Sequence, residues 1–124
     1  MAPTLRGCFV TGTDTGVGKT VVAGAIVARL RQAGVAVRAL KPLITGLDEP
    51  PDSVWPADHE LLAGLSGRAP ADVILRGYGP PVSPHLAAEL ADDDGPSLAS
   101  LIAGVRAAAE NALTVVEGVG GLLV

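Results

Sequence analysis

The sequence predicts a single α/β domain built on a mainly parallel sheet. Short apolar runs end in glycine-rich turns, a strand–loop–helix–strand unit opens the chain, and Gly and Pro fall at intervals as turn punctuation. The 124 residues suffice for one domain. Charged residues make up 18% and hydrophobic residues 48%, a balance that opposes disorder; with aromatics at 2%, the core must come from Ala, Val and Leu. No apolar run approaches the roughly 18 residues of a membrane span, and the start lacks a secretory signal pattern. No membrane partner is therefore expected. A net charge of −4 gives no electrostatic attraction to nucleic acid either. The single cysteine, Cys8, cannot form an internal disulfide, which suits a cytoplasmic location; within a strand it is expected to be inert core.

Residues 8–11, Cys-Phe-Val-Thr, are a short apolar run ending at Gly12, as a buried parallel strand would be. From Gly18 to Ala33 the period turns helical, with Val22, Ile26, Leu30 and Ala33 as the apolar face. Arg29 and Arg31 gather near the C-terminal end of this helix, where the dipole favours cations, and Gly34 follows. A second strand, Val35–Leu40, ends at Lys41-Pro42, so a right-handed crossover is expected. Residues 48–56 read as an exposed loop rich in proline and acid. Asp58 is placed to cap a helix through Leu65, residues 76–84 read as another loop, and His85–Leu90 as a helical turn. Ser97 can cap a helix carrying Leu98, Leu101, Ile102 and Val105 on one face. A third strand, Leu113–Val116, runs into Glu117-Gly118-Val119-Gly120-Gly121. Three strands are few for a nucleotide-binding sheet, and Leu122-Leu123-Val124 is an apolar ending. Residues 1–124 therefore read as an incomplete domain, the N-terminal part of something longer.

Gly12–Thr20 reads Gly-Thr-Asp-Thr-Gly-Val-Gly-Lys-Thr between a strand and a helix. Such a loop turns backbone N–H groups toward phosphate oxygens, the lysine reaches the β- and γ-phosphates, and the Thr hydroxyl ligates Mg²⁺. Five residues separate Gly12 from Gly18, one more than in the common P-loop pattern. The fold is accordingly expected to be a P-loop NTPase-like three-layer sandwich, apparently truncated. Only two of the nine basic residues are lysine, Lys19 and Lys41, in a chain that otherwise uses Arg. Lysine is a compact ammonium, not a planar fork, so its retention at these two positions points to function. Lys41 follows the second strand, on the edge of the sheet where ligands bind, and could neutralise a transferring phosphoryl group or an anionic substrate. Glu117 ends the third strand beside three glycines, a place from which a carboxylate can hold Mg²⁺. Asp58 is a helix cap or a second Mg²⁺ ligand. His59 and His85 read as surface or loop histidines.

Three phrases together resemble the dethiobiotin synthetase family of the biotin pathway: Gly-Thr-Asp-Thr-Gly-Val-Gly-Lys-Thr at 12–20, Lys-Pro-Leu-Ile-Thr-Gly at 41–46, and Val-Glu-Gly-Val-Gly-Gly at 116–121. Ser83-Pro84-His85-Leu86 and Asp58 also fall where that family has similar residues. The resemblance implies an ATP- and Mg²⁺-dependent ligase that closes 7,8-diaminopelargonate and CO₂ into a cyclic urea through a phosphorylated carbamate. It implies that Gly16, Val17, Gly18, Lys19, Thr20 and Val21 hold the triphosphate. Thr20, Asp58 and Glu117 would serve Mg²⁺, with Asp58 and Glu117, Gly118, Val119 and Gly120 also bordering the nucleotide. Lys41 would be the catalytic cation, and Thr45 and Thr15 would lie against the diamine or its carbamate. Position 16 is Gly where some members carry Glu, so only a backbone role remains there. In this family a homodimer completes the substrate site, and the later part of the chain recognises adenine. Two alternatives stay open: a nucleotide-switch ATPase of the partitioning or assembly type, whose extra P-loop lysine is absent from residues 12–17, and a non-catalytic regulatory domain of the same fold.

Overall fold

A computed structural model describes residues 4–122, so Leu123 and Val124 of the apolar ending lie outside the described residues. The elements run β1 (Gly7–Val10), α1 (Lys19–Gln32), β2 (Val37–Leu40), β3 (Leu43–Ile44), α2 (Asp58–Ser66), a 3₁₀ turn (Pro70–Asp72), β4 (Arg76–Gly77), α3 (Pro84–Leu90), α4 (Leu98–Ala109) and β5 (Leu113–Glu117). The α/β class and the parallel sheet are as the sequence predicts. The main sheet has the order β1-β5-β2, with both pairings parallel. The last strand is thus inserted between the two that α1 connects. Val10 pairs with Glu117 and Leu40 with Val116, which brings the carboxyl ends of all three strands to one edge.

Parallel pairing puts register partners on the same face of the sheet. Val37, Ala39 and Val115 therefore face α1 and α2, and there they join Ala23, Val27, Leu62, Ala63 and Val73 in the main core. On the opposite face lie Arg38, Leu40, Thr114, Val116 and Phe9. Arg38 is buried there and pairs with Glu110, at the C-terminal end of α4, at 3.2 Å.

Several sequence expectations are corrected. β1 is not a buried strand. It is the edge of the sheet, and Phe9 is 64% exposed. Cys8 is exposed too and is not inert core, because α1 lies mainly over β5 and β2. The buried stripe of α1 is Lys19, Thr20, Ala23, Gly24 and Val27; of the expected face Ile26 and Leu30 pack at its margin, while Val22 and Ala33 are exposed, so the helix is partly rotated from that face. There are five strands among the described residues, since Leu43–Ile44 and Arg76–Gly77, the latter read as loop, form a second parallel pair. Asp58 is not a cap: Ala57 takes that position, and its N–H is held by the Glu60 carboxylate at 3.2 Å. Ser97 does cap α4, accepting from the Ser100 N–H at 3.1 Å. The apolar face of α4 is present but little covers it. Leu98 and Ile102 are exposed and, with Phe9, Leu101, Val105 and Val116, line an open cleft of about 700 Å³. No helix among the described residues is long and apolar enough to cross a membrane.

Candidate functional site

The loop between β1 and α1 is shaped by its glycines. Gly16 and Gly18 have φ of 76° and 105°, in the left-handed region that only glycine enters at low cost. Gly18 is the N-cap of α1, and no side chain caps the helix; its first backbone bond is Val22 N–H to the Gly18 carbonyl at 3.1 Å. Among the described residues, nothing accepts a hydrogen bond from the amides of Gly16 to Val21. Uncapped N–H groups at a helix N-terminus, with the positive end of the dipole behind them, form an anion site. Lys19 is buried and its ammonium donates to the Asp14 carbonyl at 2.9 Å, so the loop closes over its own lysine. Thr15 is exposed on the same loop, its N–H donating to Asp14 Oδ1 at 2.7 Å.

Thr20 begins the second part of the site. Its hydroxyl donates to Glu117 Oε1 at 2.7 Å, although 97 residues separate the two. Because β5 lies next to β1, the end of β5 faces the first turn of α1. Glu117 is 1% exposed, and its Oε2 is enclosed with no partner among the described residues. Lys41, one residue past β2, points to the same place: its Nζ lies 3.3 Å from Glu117 Oε1 and forms an ion pair with Asp58 at the start of α2. The Lys41 N–H is fixed by the Val73 carbonyl at 2.9 Å. Lys41 and the two carboxylates therefore meet beside the glycine-rich loop, one positive charge against two negative.

Thr20, Glu117 and Asp58 give two carboxylates and a hydroxyl. Among the described residues no cluster of three acidic, His or Cys side chains forms an all-protein metal cage. Mg²⁺ does not need one when phosphates complete its shell. The unpartnered Oε2 of Glu117 fits such a ligand.

Gly118, Val119, Gly120 and Gly121 continue from β5 beside the phosphate loop. The Gly118 N–H donates to the Val10 carbonyl at 3.0 Å and the Leu122 N–H to that of Gly12 at 2.8 Å. Thr45 follows β3 and is half-buried. His85 is exposed on α3 and pairs with Glu89 at 3.0 Å. His59 is half-buried in α2, its Nδ1 without a partner among the described residues. Sequence reasoning missed two things. One is Asp14, whose carbonyl holds Lys19. The other is the joining of Lys41 to both acidic residues; the motif Thr-Asp-Thr contained Asp14, but nothing in the spacing announced the ion pairs.

Comparison with known proteins bears on this geometry. The "ATP-dependent dethiobiotin synthetase BioD" of Anaeromyxobacter sp. (strain Fw109-5) is 41% identical over 97% of this chain and 53% of its own length. The protein of the same name from Anaeromyxobacter dehalogenans (strain 2CP-1) is 46% identical over the same shares. That of Mycobacterium sp. (strain KMS) is 43% identical over 93% of this chain and 50% of its own length. The chain spans about half the length of the curated relatives it matches. A family model described as an AAA domain (AAA_26) matches residues 6–124, from just before β1 through the glycine run, and the chain belongs to that family.

Proposed function

We propose that this chain forms the triphosphate- and carbamate-handling part of an ATP-dependent dethiobiotin synthetase. The observation that carries the reading is the meeting of Thr20, Lys41, Asp58 and Glu117 beside a phosphate loop with free amides. The relatives named for this activity support it. The amides of Gly16, Val17, Gly18, Lys19, Thr20 and Val21 bind the triphosphate, with Lys19 turning from the Asp14 carbonyl to the β- and γ-phosphates. Thr20, Asp58 and Glu117 hold Mg²⁺, and Glu117, Gly118, Val119 and Gly120 border the nucleotide. Charge arithmetic supports a metal: Lys41 is already paired with Asp58 and Glu117, so only Lys19, held by a neutral carbonyl, is left to meet an incoming triphosphate, which needs further positive charge. When bound, Mg²⁺ supplies that charge and polarises the γ-phosphoryl group.

One amine of 7,8-diaminopelargonate captures CO₂ as a carbamate, the γ-phosphoryl group passes to the carbamate oxygen, and the second amine displaces phosphate as the ring closes. Lys41 stabilises the anionic carbamate and the transferring phosphoryl group, while Thr45 and Thr15 orient the diamine. Positioning and charge carry this chemistry, because the attacking groups are already nucleophiles. That the protein works as a cytoplasmic homodimer is part of the same proposal and rests on the resemblance alone. The test is Lys19→Ala in the intact protein. ATP binding by calorimetry should weaken strongly and dethiobiotin formation should vanish, with the circular dichroism of the fold unchanged. Wild-type turnover in this variant would refute the phosphate assignment.

A further inference from the structure

The position of Lys41 has a consequence for how the metal enters. Its ammonium lies between Asp58 and Glu117, the two carboxylates assigned to Mg²⁺. The Thr20 hydroxyl, the third ligand of that set, is turned to the same Glu117 oxygen at 2.7 Å. All three groups are thus engaged with one another. One unit of positive charge faces two of negative, and the enclosed Oε2 of Glu117 is left over with no partner among the described residues. An ammonium here has the place of a cation but neither the charge nor the valence to saturate the site.

We infer that Lys41 is a placeholder cation: without nucleotide it occupies the divalent-metal position between Asp58 and Glu117, and metal arriving with nucleotide displaces it toward the phosphates. This rests on the proposed nucleotide and metal site and goes beyond it by assigning an order of events. Ammonium and divalent ion cannot share the same carboxylate oxygens, because each is drawn in by the charge that the other neutralises. A bare divalent ion must therefore evict an ammonium held by a carboxylate that is 1% exposed, and it binds weakly. Nucleotide changes the balance, since its phosphates give the metal new ligands and give Lys41 a new anionic partner. The backbone of Lys41 is tied to Val73, so the exchange is a swing of its flexible four-carbon stem. The lysine then reaches the γ-phosphate only once the metal has taken its place, which couples metal loading to assembly of the catalytic arrangement.

The experiment uses Mn²⁺ as probe and the intact protein, with free Mn²⁺ read from its electron paramagnetic resonance signal. Without nucleotide, Lys41→Met should bind Mn²⁺ more tightly than wild type, by on the order of tenfold or more, because one competing positive charge a few ångströms from the metal is removed. Lys41→Arg, which keeps the cation, should stay as weak as wild type. Adding Asp58→Asn to Lys41→Met should abolish the gain. Should Lys41→Met fail to fold, Lys41→Gln gives the same comparison, and Mn²⁺ alone should raise its unfolding temperature more than that of wild type. Equal nucleotide-free affinities in wild type and the neutral variant, or a gain that survives Asp58→Asn, overturn the placeholder role. Wild type that fails to bind the preformed Mn²⁺–ATP complex in calorimetry overturns the underlying site as well, so the two failures are distinct.

Discussion

Gly121 shows how closely the two glycine-rich segments approach. A Cβ built there falls on the backbone of Asp14 and lies 2.7 Å from the Thr13 carbonyl carbon. The neighbouring Leu122 N–H donates to the Gly12 carbonyl, so the chain after β5 braces the phosphate loop from outside. Backbone cannot yield as a flexible side chain does, and inserting a methyl group into such a contact costs roughly 1–3 kcal/mol. Gly121→Ala should therefore displace the phosphate loop and weaken ATP binding by about tenfold or more, as calorimetry would show; unchanged affinity would mean the two segments separate freely. The sequence revealed the two glycine runs, but not that they touch. In the same way it marked Lys19, Lys41, Thr20 and Glu117 as chemically significant and left Asp58 between two roles. Spacing along a chain cannot show an ion pair between residues 17 apart on different elements. Asp58 was free to pair because Glu60 satisfies the helix start in its place.

At the scale of elements, the helices and the three strands of the main sheet were legible, while the two-residue strands and the facing of α1 were not. Polar and small residues fill the buried side of α1, with Lys19 and Thr20 turned to the site and Ala23 and Gly24 to the packing. Ile26 and Leu30 pack at the margin of the core while Val22 is left exposed, so apolar periodicity found only the edge of the buried stripe. The strand Arg76–Gly77 is too short to carry a period at all and exists only through its pairing with Leu43–Ile44. For α4 the opposite holds. Ser97 and the Leu98, Leu101, Ile102, Val105 face were read correctly, yet that face meets little protein. The two helices should differ in local stability. α1 packs on α2, β2 and β5, whereas the main packing of α4 is on β2. Elements with few buried contacts open first. Amide hydrogen exchange should be slowest in α1 around Ala23 and Val27 and roughly tenfold or more faster throughout α4. Equal protection in both helices would contradict the packing described.

At the scale of the whole molecule, strand order does what no motif states. Inserting β5 between β1 and β2 sets Glu117 between the phosphate loop and Lys41, so three segments far apart in sequence share one edge of the sheet. The two faces of that sheet are unequal. Under α1 and α2 it carries the closed core. On the α4 side, Phe9, Leu98 and Ile102 are exposed around the cleft, together with half-buried Leu101 and Val116. A contiguous apolar surface of this kind attracts apolar dyes and other apolar surfaces. Residues 1–124 produced alone should therefore bind anilinonaphthalene sulfonate while still folded and self-associate with rising concentration. The double substitution Leu98→Glu, Ile102→Lys places charge on exposed positions of the cleft and leaves the core under α1 and α2 untouched. It should reduce dye fluorescence and self-association severalfold, within about 0.5 kcal/mol of unchanged stability, as expected for surface positions. Dye binding that persists in the double variant would locate the sticky surface elsewhere, and a large loss of stability would mean that α4 is packed into the fold more deeply than its exposure indicates.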